Sequence, residues 1–389
     1  MDIVIILLFV NPTARKAKEM ALREHLIDGG RWFLGLSPKE VAFNRPSSGR
    51  LSITAIIPAY NEEVSIASTI RSLQAQTYRL DEIIVVDDCS TDRTGDIARS
   101  LGAAVYRTPK NRGTKAQAQN LALAFVKTDL FVTVDADTIV APDAVEKTIR
   151  YFNDPKTLIV SGFVVPQKIQ TLWERGRFIE YLYGLTIIKP AQNHNRMVLV
   201  ASGCFSVFRT KETLEEFGHF NERTMAEDLD LTWEATGKGY HVYFAPEAKC
   251  YPVDPPTFGI YVKQLSRWYR GFLQNIAVRK FYKFGSWRLQ LLIYVYVVWF
   301  LIGPMMLPVM LLWAGYGVVS AIGWMMALQM ITMGVPALWR AYRLGMFSTA
   351  LASLPATLVT QYVSFGVYLY SIWKEWILRD KLHSWDKGH

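Results

Sequence analysis

Cysteine is scarce: Cys89, Cys204 and Cys250 are the only ones, and they lie far apart. That number and spacing build neither a disulfide framework nor a zinc site, and they fit a reducing compartment. Phosphate loops are missing as well. Neither G-x-x-x-x-G-K-[ST] nor G-x-G-x-x-G occurs, and H-E-x-x-H, G-x-S-x-G and the kinase signatures are absent. Kinases, dinucleotide enzymes, zinc proteases and serine hydrolases lose their best support. Charge is missing from one long tract: between Leu289 and Trp373 only Arg340 and Arg343 carry any. A charge costs about 2.5–3.5 kcal/mol at the centre of a membrane helix, so such a tract is either embedded in a bilayer or very deeply buried.

The rest of the chain is charged and mixed, like a soluble domain, and the net charge is +9. No recognition motif or aromatic-basic array argues for nucleic acid. Arg267, Arg270, Arg279, Lys280, Lys283 and Arg288 instead crowd the approach to the apolar tract, as the positive-inside rule and attraction to anionic lipid would have it. Residues 1–50 are a short hydrophobic and amphipathic segment. Ile3–Val10 is apolar, but Asn11-Pro12 ends it, and about ten helical residues rise only ~15 Å against a hydrocarbon core of ~30 Å. With Asp2 in front and no small-residue cleavage site behind, it does not read as a signal peptide. A half-inserted anchor, a strand or core segment, and the stump of a longer span all remain open.

From residue 51 the sequence alternates apolar runs with helical spacing. Strands are expected at Ile53–Ile57, Glu82–Val86, Ala104–Tyr106 and Leu130–Val134, and helices at Glu62–Ala75, Arg93–Leu101, Ala116–Val126 and after Pro142. Such alternation implies a parallel sheet covered on both faces, with ligands beyond the carboxyl ends of its strands. Further on, Leu289–Leu312, Val318–Trp339 and Met346–Trp373 are each long enough to cross a bilayer, with Arg340–Gly345 as a loop between the last two. The basic tail (Lys374, Arg379, Lys381, Lys387) then falls on the outer side, which strains the positive-inside rule.

Three acidic signatures fall at strand or helix ends. Asp135 and Asp137 are spaced i, i+2, so in extended backbone both carboxylates point one way. That suits a hard divalent cation shared with a diphosphate, although acids also favour helix N-termini. Asp87-Asp88 precedes Ser90-Thr-Asp92. Either Thr91 or Asp92 caps the next helix, or the acid pair accepts from the N–H of a nucleotide base. Glu227-Asp228 opens an acidic helical stretch, which suits the helix dipole or a general base at Asp228. Gln264, Arg267 and Trp268 share one helix face at i, i+3, i+4. Arg267 can grip a diphosphate and Trp268 can stack on a sugar, while a snorkelling interfacial helix would show the same residues.

In their order these pieces resemble the inverting family 2 glycosyltransferases, in particular the membrane-embedded processive branch of cellulose, chitin, hyaluronan and poly-N-acetylglucosamine synthases. The resemblance runs from about Ile53 to Gly271. Ile57-Pro-Ala-Tyr-Asn-Glu-Glu63 is similar to the opening nucleotide loop, which implies donor contacts at Ala59, Tyr60 and Glu62. Val86-Asp-Asp-Cys-Ser-Thr-Asp92 is similar to the uracil segment, with Asp87 and Asp88. Asn111-Arg-Gly-Thr-Lys-Ala116 is similar to the lysine-bearing segment, with Lys115, although Thr114 interrupts the usual Gly-Lys pair. Asp135-Ala-Asp137 matches the motif for metal and ribose, and Ser202-Gly-Cys-Phe205 the acceptor-side loop, with Ser202, Gly203 and Cys204. Glu227-Asp228 matches the base motif, and Gln264-Leu-Ser-Arg-Trp268 the motif that holds diphosphate and acceptor.

The resemblance implies a GT-A-like, Rossmann-type α/β nucleotide-binding domain over 51–258. An interfacial helix over 259–288, about three transmembrane helices over 289–373 and a polar tail over 374–389 would follow it. It implies a UDP-sugar donor, Mg²⁺ or Mn²⁺, a glycan or glycolipid acceptor, and a β-linked polysaccharide as product. Single-sugar transfer to a lipid-linked or glycolipid acceptor is the alternative. The expected setting is a plasma or inner membrane with the catalytic domain cytoplasmic. A homo-oligomer or partner subunit would aid translocation, because three spans make a poor water-filled path.

Overall fold

The computed structural model describes residues 49–194, 196–279, 287, 289–298, 320, 323, 327 and 330–382. The amphipathic N-terminal segment and most of the first two expected spans lie outside the described residues.

Eight strands form one mixed sheet in the order β3-β2-β1-β4-β7-β6-β8-β5. The first half is the expected α/β repeat. β1 (Ile53–Ala59) pairs in parallel with β2 (Glu82–Asp87) and β4 (Leu130–Val134), and β2 with β3 (Ala104–Arg107). Ile53, Ala55, Ile56 and Ile57 are fully buried, as a strand covered on both faces requires. β1 runs through Pro58 instead of stopping there. Its last pairing with β4 is at Ile56, so the missing proline N–H interrupts no ladder. The helix α1 (Ile66–Gln74) buries Ile66, Thr69, Ile70 and Leu73, a single face at helical spacing. Next come α2 (Thr94–Ser100), α3 (Lys115–Leu123) and α4 (Ala144–Ile149).

The second half departs from an all-parallel sheet. β5 (Ile139–Val140) and β6 (Thr157–Val164) precede two helices, α5 (Leu172–Tyr183) and α6 (Lys189–His194). β7 (Phe205–Arg209) then enters antiparallel between β4 and β6. After α7 (Thr210–Glu216) and α8 (Glu227–Gly237), β8 (His241–Tyr251) pairs parallel to β6 and antiparallel to β5. Reversing β7 puts the start of that strand, and the Ser202–Cys204 loop before it, at the same sheet edge as the ends of β1, β2 and β4.

The last described helices include α9 (Phe258–Arg279), α10 (Val335–Arg343) and α11 (Phe347–Ile372), which runs on through a π-helical turn to Ile377. The three-span expectation is met in part. Among the described residues one helix, Phe347–Ile377, is long and apolar enough to cross a membrane, and Leu289–Val298 is a shorter apolar helix. The end of the second expected span runs from a π-helical turn, Met330–Gly334, directly into α10, which has a proline in its first turn. Ala337 and Ala341 of α10 pack into the main core. Arg340 and Arg343, expected in a loop, lie on α10, where Arg340 donates to Pro246 O at 3.2 Å and stacks over Phe163.

α11 packs against α5 and α9 with its small and hydroxyl residues inward: Ala350, Ser353, Thr357, Thr360, Ser364 and Ser371 are buried. Ser353, Thr357 and Ser371 satisfy their hydroxyls on carbonyls of their own helix, at 2.6, 2.6 and 2.7 Å. Phe347, Leu351, Val359, Tyr362 and Leu369 face outward. A helix in apolar surroundings packs this way, through small residues that let backbones approach.

The closest approach is at Gly176 of α5, where any Cβ would overlap the Thr360 side chain. Gly176→Leu should destabilise the fold by about 1–3 kcal/mol through overpacking, seen as a lower melting temperature in detergent. Gly366→Leu on α11, where a Cβ meets nothing within 4 Å, is the control. Equal melting temperatures for the two variants would show that the α5–α11 contact is loose.

Candidate active site

The carboxyl ends of β1 and β2 open onto a cleft lined by Pro58, Ala59, Tyr60, Asp88, Asn111, Gly113, Thr114, Lys115 and Ala118. Two loops shape it and are tied to each other. Asn61 and Cys89 hold left-handed backbone, at φ 53° and 63°, uncommon for residues with a Cβ. Asn61 Oδ1 accepts from Thr91 N at 2.8 Å, and Asn61 N donates to Ser90 Oγ at 3.0 Å. Glu62 lies just behind this turn, where its carboxylate accepts from Ser65 Oγ at 2.6 Å.

The acid pair on the second loop is split. Asp87 is fully buried and turned into the protein: Oδ2 pairs with Arg107 at 2.6 Å and Oδ1 accepts from Ser90 N at 2.9 Å. Asp88 borders the cleft and accepts from Thr108 Oγ1 at 2.8 Å and from Arg112 N at 3.0 Å. Neither Thr91 nor Asp92 is the N-cap of α2, which is Arg93 with no side-chain cap; Asp92, just before it, accepts from Thr94 N at 3.0 Å.

Thr114, which separates glycine from lysine, is the N-cap of α3, with its side chain accepting from Gln117 N. The cap delivers Lys115 to the centre of the site. The Lys115 ammonium pairs with Asp135, donates to Gly203 O at 2.9 Å and lies 4.0 Å from Glu227. Burial alone would depress its pKa, but Asp135, Glu227 and Asp228 outweigh burial and hold it well above its ordinary value. Burial, then the Asp228 charge, pushes the Glu227 carboxyl up to about 7. Asp228 faces the acceptor-side loop: Oδ2 accepts from Gly203 N at 3.0 Å and Oδ1 from Leu229 N at 2.8 Å. Gly203 is pinched, because a Cβ there would lie 3.0 Å from both Asp228 Oδ2 and Lys115 Nζ. Cys204 Sγ lies 3.9 Å from Cys250 Sγ.

Asp137 is the candidate for a cation. Burial, then the charge of Asp135, pushes it up to about 7. A carboxyl so placed gains from a divalent ion, but among the described residues no group of three or more acidic, histidine or cysteine side chains could hold one, so Asp135 and Asp137 would need further oxygen donors from a ligand.

α9 completes the site. It carries Gln264, Arg267 and Trp268 on one face, and Arg267 offsets part of the Glu227 shift. One turn on, it grips the loop before the acid helix. Gly271 meets Ala226, Gln274 Oε1 accepts from Met225 N at 2.9 Å, and Asn275 Nδ2 donates to Thr224 Oγ1 at 3.1 Å. Glu375, past α11, backs this contact through Arg270 at 2.7 Å and Gln274 at 3.0 Å.

The site also holds residues that the sequence did not flag. Lys189 Nζ donates to Ser202 Oγ at 2.8 Å, and burial lowers its pKa to about 8. Arg177 and Asp254 form a buried pair beside Gln264. None sits in a recognisable motif, and only the fold brings them in.

Comparison with known proteins agrees with this geometry. The mannosyltransferase PcManGT from Pyrobaculum calidifontis, solved with GDP-Man and Mn²⁺, shares the fold at TM-score 0.59 and 23% identity, over 93% of this chain and 99% of its own. The chain shares that fold. Residues 54–214 match "Glycosyl transferase family 2". It is 32% identical over 251 residues to the hyaluronan synthase of Streptococcus pyogenes, covering 59% of each chain. To the poly-beta-1,6-N-acetyl-D-glucosamine synthase of Staphylococcus aureus (strain COL) it is 30% identical over 235 residues, 59% of this chain and 56% of the other. The chain thus spans less than two thirds of the length of these relatives.

Lys115→Met should cost about 3–5 kcal/mol, as loss of one partner in a buried ion cluster does. The sign of its pH dependence follows from the carboxylates. Without Lys115 the pKa of Glu227 rises further above about 7, so in the folded state it is neutral at pH 5 and must ionise against burial at pH 8. The gap in melting temperature from wild type should therefore be wider at pH 8 than at pH 5. A gap independent of pH would remove Lys115 from its role as counter-charge.

Proposed function

We propose that the protein is an inverting glycosyltransferase that moves a sugar from a UDP-sugar to a glycan hydroxyl at a membrane and so extends a β-linked polysaccharide. One observation carries this reading. Lys115 gathers Asp135, Gly203 and Glu227 at one point, so the donor motif, the acceptor-side loop and the base motif share a single centre.

In the proposed reaction Ala59, Tyr60 and Asp88 receive the nucleotide in the cleft, with Glu62 and Asp87 holding the loops behind it. Asp137 and Asp135 would hold Mg²⁺ or Mn²⁺, which would neutralise charge on the departing diphosphate. Lys115 and Arg267 face the same diphosphate, Arg267 through a planar fork of donors. The acceptor stacks on Trp268 beside Ser202, Gly203 and Cys204. Asp228 takes the proton from the acceptor hydroxyl as its oxygen attacks the anomeric carbon from the face opposite the phosphate, and the bond from that carbon to the phosphate oxygen breaks. One carboxylate base suffices because the diphosphate leaves without being protonated, unlike the leaving group in glycoside hydrolysis. Glu227, beside Lys115, tunes the charge around the base.

The membrane setting is supported by the outward apolar and inward hydroxyl faces of α11. The polymer product is supported by the hyaluronan and poly-N-acetylglucosamine synthases among the relatives.

Purified protein in detergent, given a panel of UDP-sugars with Mn²⁺, should release UDP with one of them and form a high-mass product. Release with short products alone would replace polymerisation by single transfer. Asp228→Asn should lower turnover roughly 10²–10⁴-fold, the usual contribution of a general base, and leave UDP affinity unchanged. Wild-type turnover in that variant would refute the base assignment.

A further inference from the structure

We infer that Arg177 is a positioning residue that sets the orientation of the Gln264 amide and the Trp268 ring, and through them the acceptor side of the site. Its functional meaning rests on the glycosyltransferase reading, but its geometry does not. Arg177 comes from α5, far from α9 in sequence, and is 3% exposed. A buried guanidinium needs its donors satisfied and its charge balanced. Nη1 donates to Glu180 at 2.7 Å, and Asp254 lies 3.9 Å from Nε. Asp254 is itself 2% exposed and accepts from Tyr181 OH at 3.2 Å. Nε makes no hydrogen bond, so the Glu180 bond and the Asp254 charge place the guanidinium before the motif is considered.

Two contacts then reach the motif. Nη2 donates to Gln264 Oε1 at 3.2 Å. Holding the amide oxygen leaves the NH₂ end of Gln264 to face elsewhere. The same guanidinium lies 4.6 Å from the centre of the Trp268 ring and 4.8 Å from that of Tyr261. It therefore covers one face of the indole, while Trp268 stays 37% exposed. The opposite face is the one left for an apolar sugar face. Tyr261 is in turn fixed to α11, its hydroxyl 3.3 Å from Ser364 Oγ. A lysine at 177 would retain the charge but could not hold an amide and stack on an indole together, because it lacks the planar fork.

The test is Arg177→Lys in the full chain in detergent, read by hydroxyl-radical footprinting of Trp268. The fully buried Trp233 reports on global folding. Trp268 oxidation should rise several-fold with Trp233 unchanged. In parallel, KM for an added acceptor saccharide should rise roughly tenfold, the scale of losing one cation–π contact and one charged hydrogen bond. Affinity for UDP with Mn²⁺ should not change. In a Trp268→Ala background Arg177→Lys should raise the acceptor KM by less than it does in the wild type, since part of the arginine's effect passes through that ring and the rest through Gln264.

If Trp233 oxidation rises as well, the chain has loosened, and the comparison is read in Arg177→Gln. There Asp254, which burial already pushes up to about 7, can take a proton and leave no unbalanced charge. Unchanged Trp268 oxidation in a folded variant overturns the inference whatever the activity. A wild-type chain that neither binds nucleotide nor turns over would overturn the glycosyltransferase reading instead, and the footprint would still decide the role of Arg177.

Discussion

The site depends on one buried ammonium. Lys115 sits at the first position of α3, where a helix favours anions over cations. It is held there because Asp135, Glu227 and Asp228 converge on it from separate elements and outweigh both the helix dipole and desolvation. The dependence is mutual. Without the lysine the acids would repel one another across a dry interior, and without the acids the lysine could not stay charged. A cluster so balanced can accept a polyanionic ligand and a cation together, because each added charge finds its opposite already in place.

The second constraint is mechanical. α9 carries the Gln264–Trp268 face at one level and grips Thr224–Ala226 at the next, so the acid pair and the aromatic platform move as parts of one rod. Gly271 permits that grip, because a side chain there would strike Ala226. Glu375 clamps the far side of the same rod from the segment beyond α11. The long apolar helix is thereby fastened to the elements that line the site.

Much of this was legible in the sequence, for identifiable reasons. The strands β1, β2 and β4 announce themselves as short apolar runs, and the acids at their ends follow from the rule that open α/β sheets bind ligands there. The reversed β7 was not legible: Phe205–Arg209 reads as a strand of either direction, and only its pairing with Leu130–Val134 fixes which. Asp87 shows the limit of local reading. It and Asp88 look equivalent as neighbours, yet alternation along the backbone sends one inward to Arg107 and leaves the other at the cleft. Arg177, Lys189 and Asp254 lie in no motif, so contacts between distant elements had to reveal them. α10 differs for another reason. Arg340–Gly345 reads as a loop, whereas Arg340 and Arg343 lie on a helix whose alanines and Arg340 pack on the sheet domain.

The inverted faces of α11 bear on how this helix can change over evolutionary time. In a soluble domain the apolar face drifts least. Here the outward residues, such as Leu351 and Val359, meet no protein partner that demands a particular shape, so one aliphatic side chain can replace another freely. The inward face sets Ser353, Thr357 and Thr360 beside Leu354, Val367 and Tyr368, and Thr360 faces the bare backbone of Gly176, so that position accepts only what is small. Among descendants of this chain, the inward residues of α11, large and small alike, should be the fixed positions, and outward ones such as Leu351 and Val359 the variable ones.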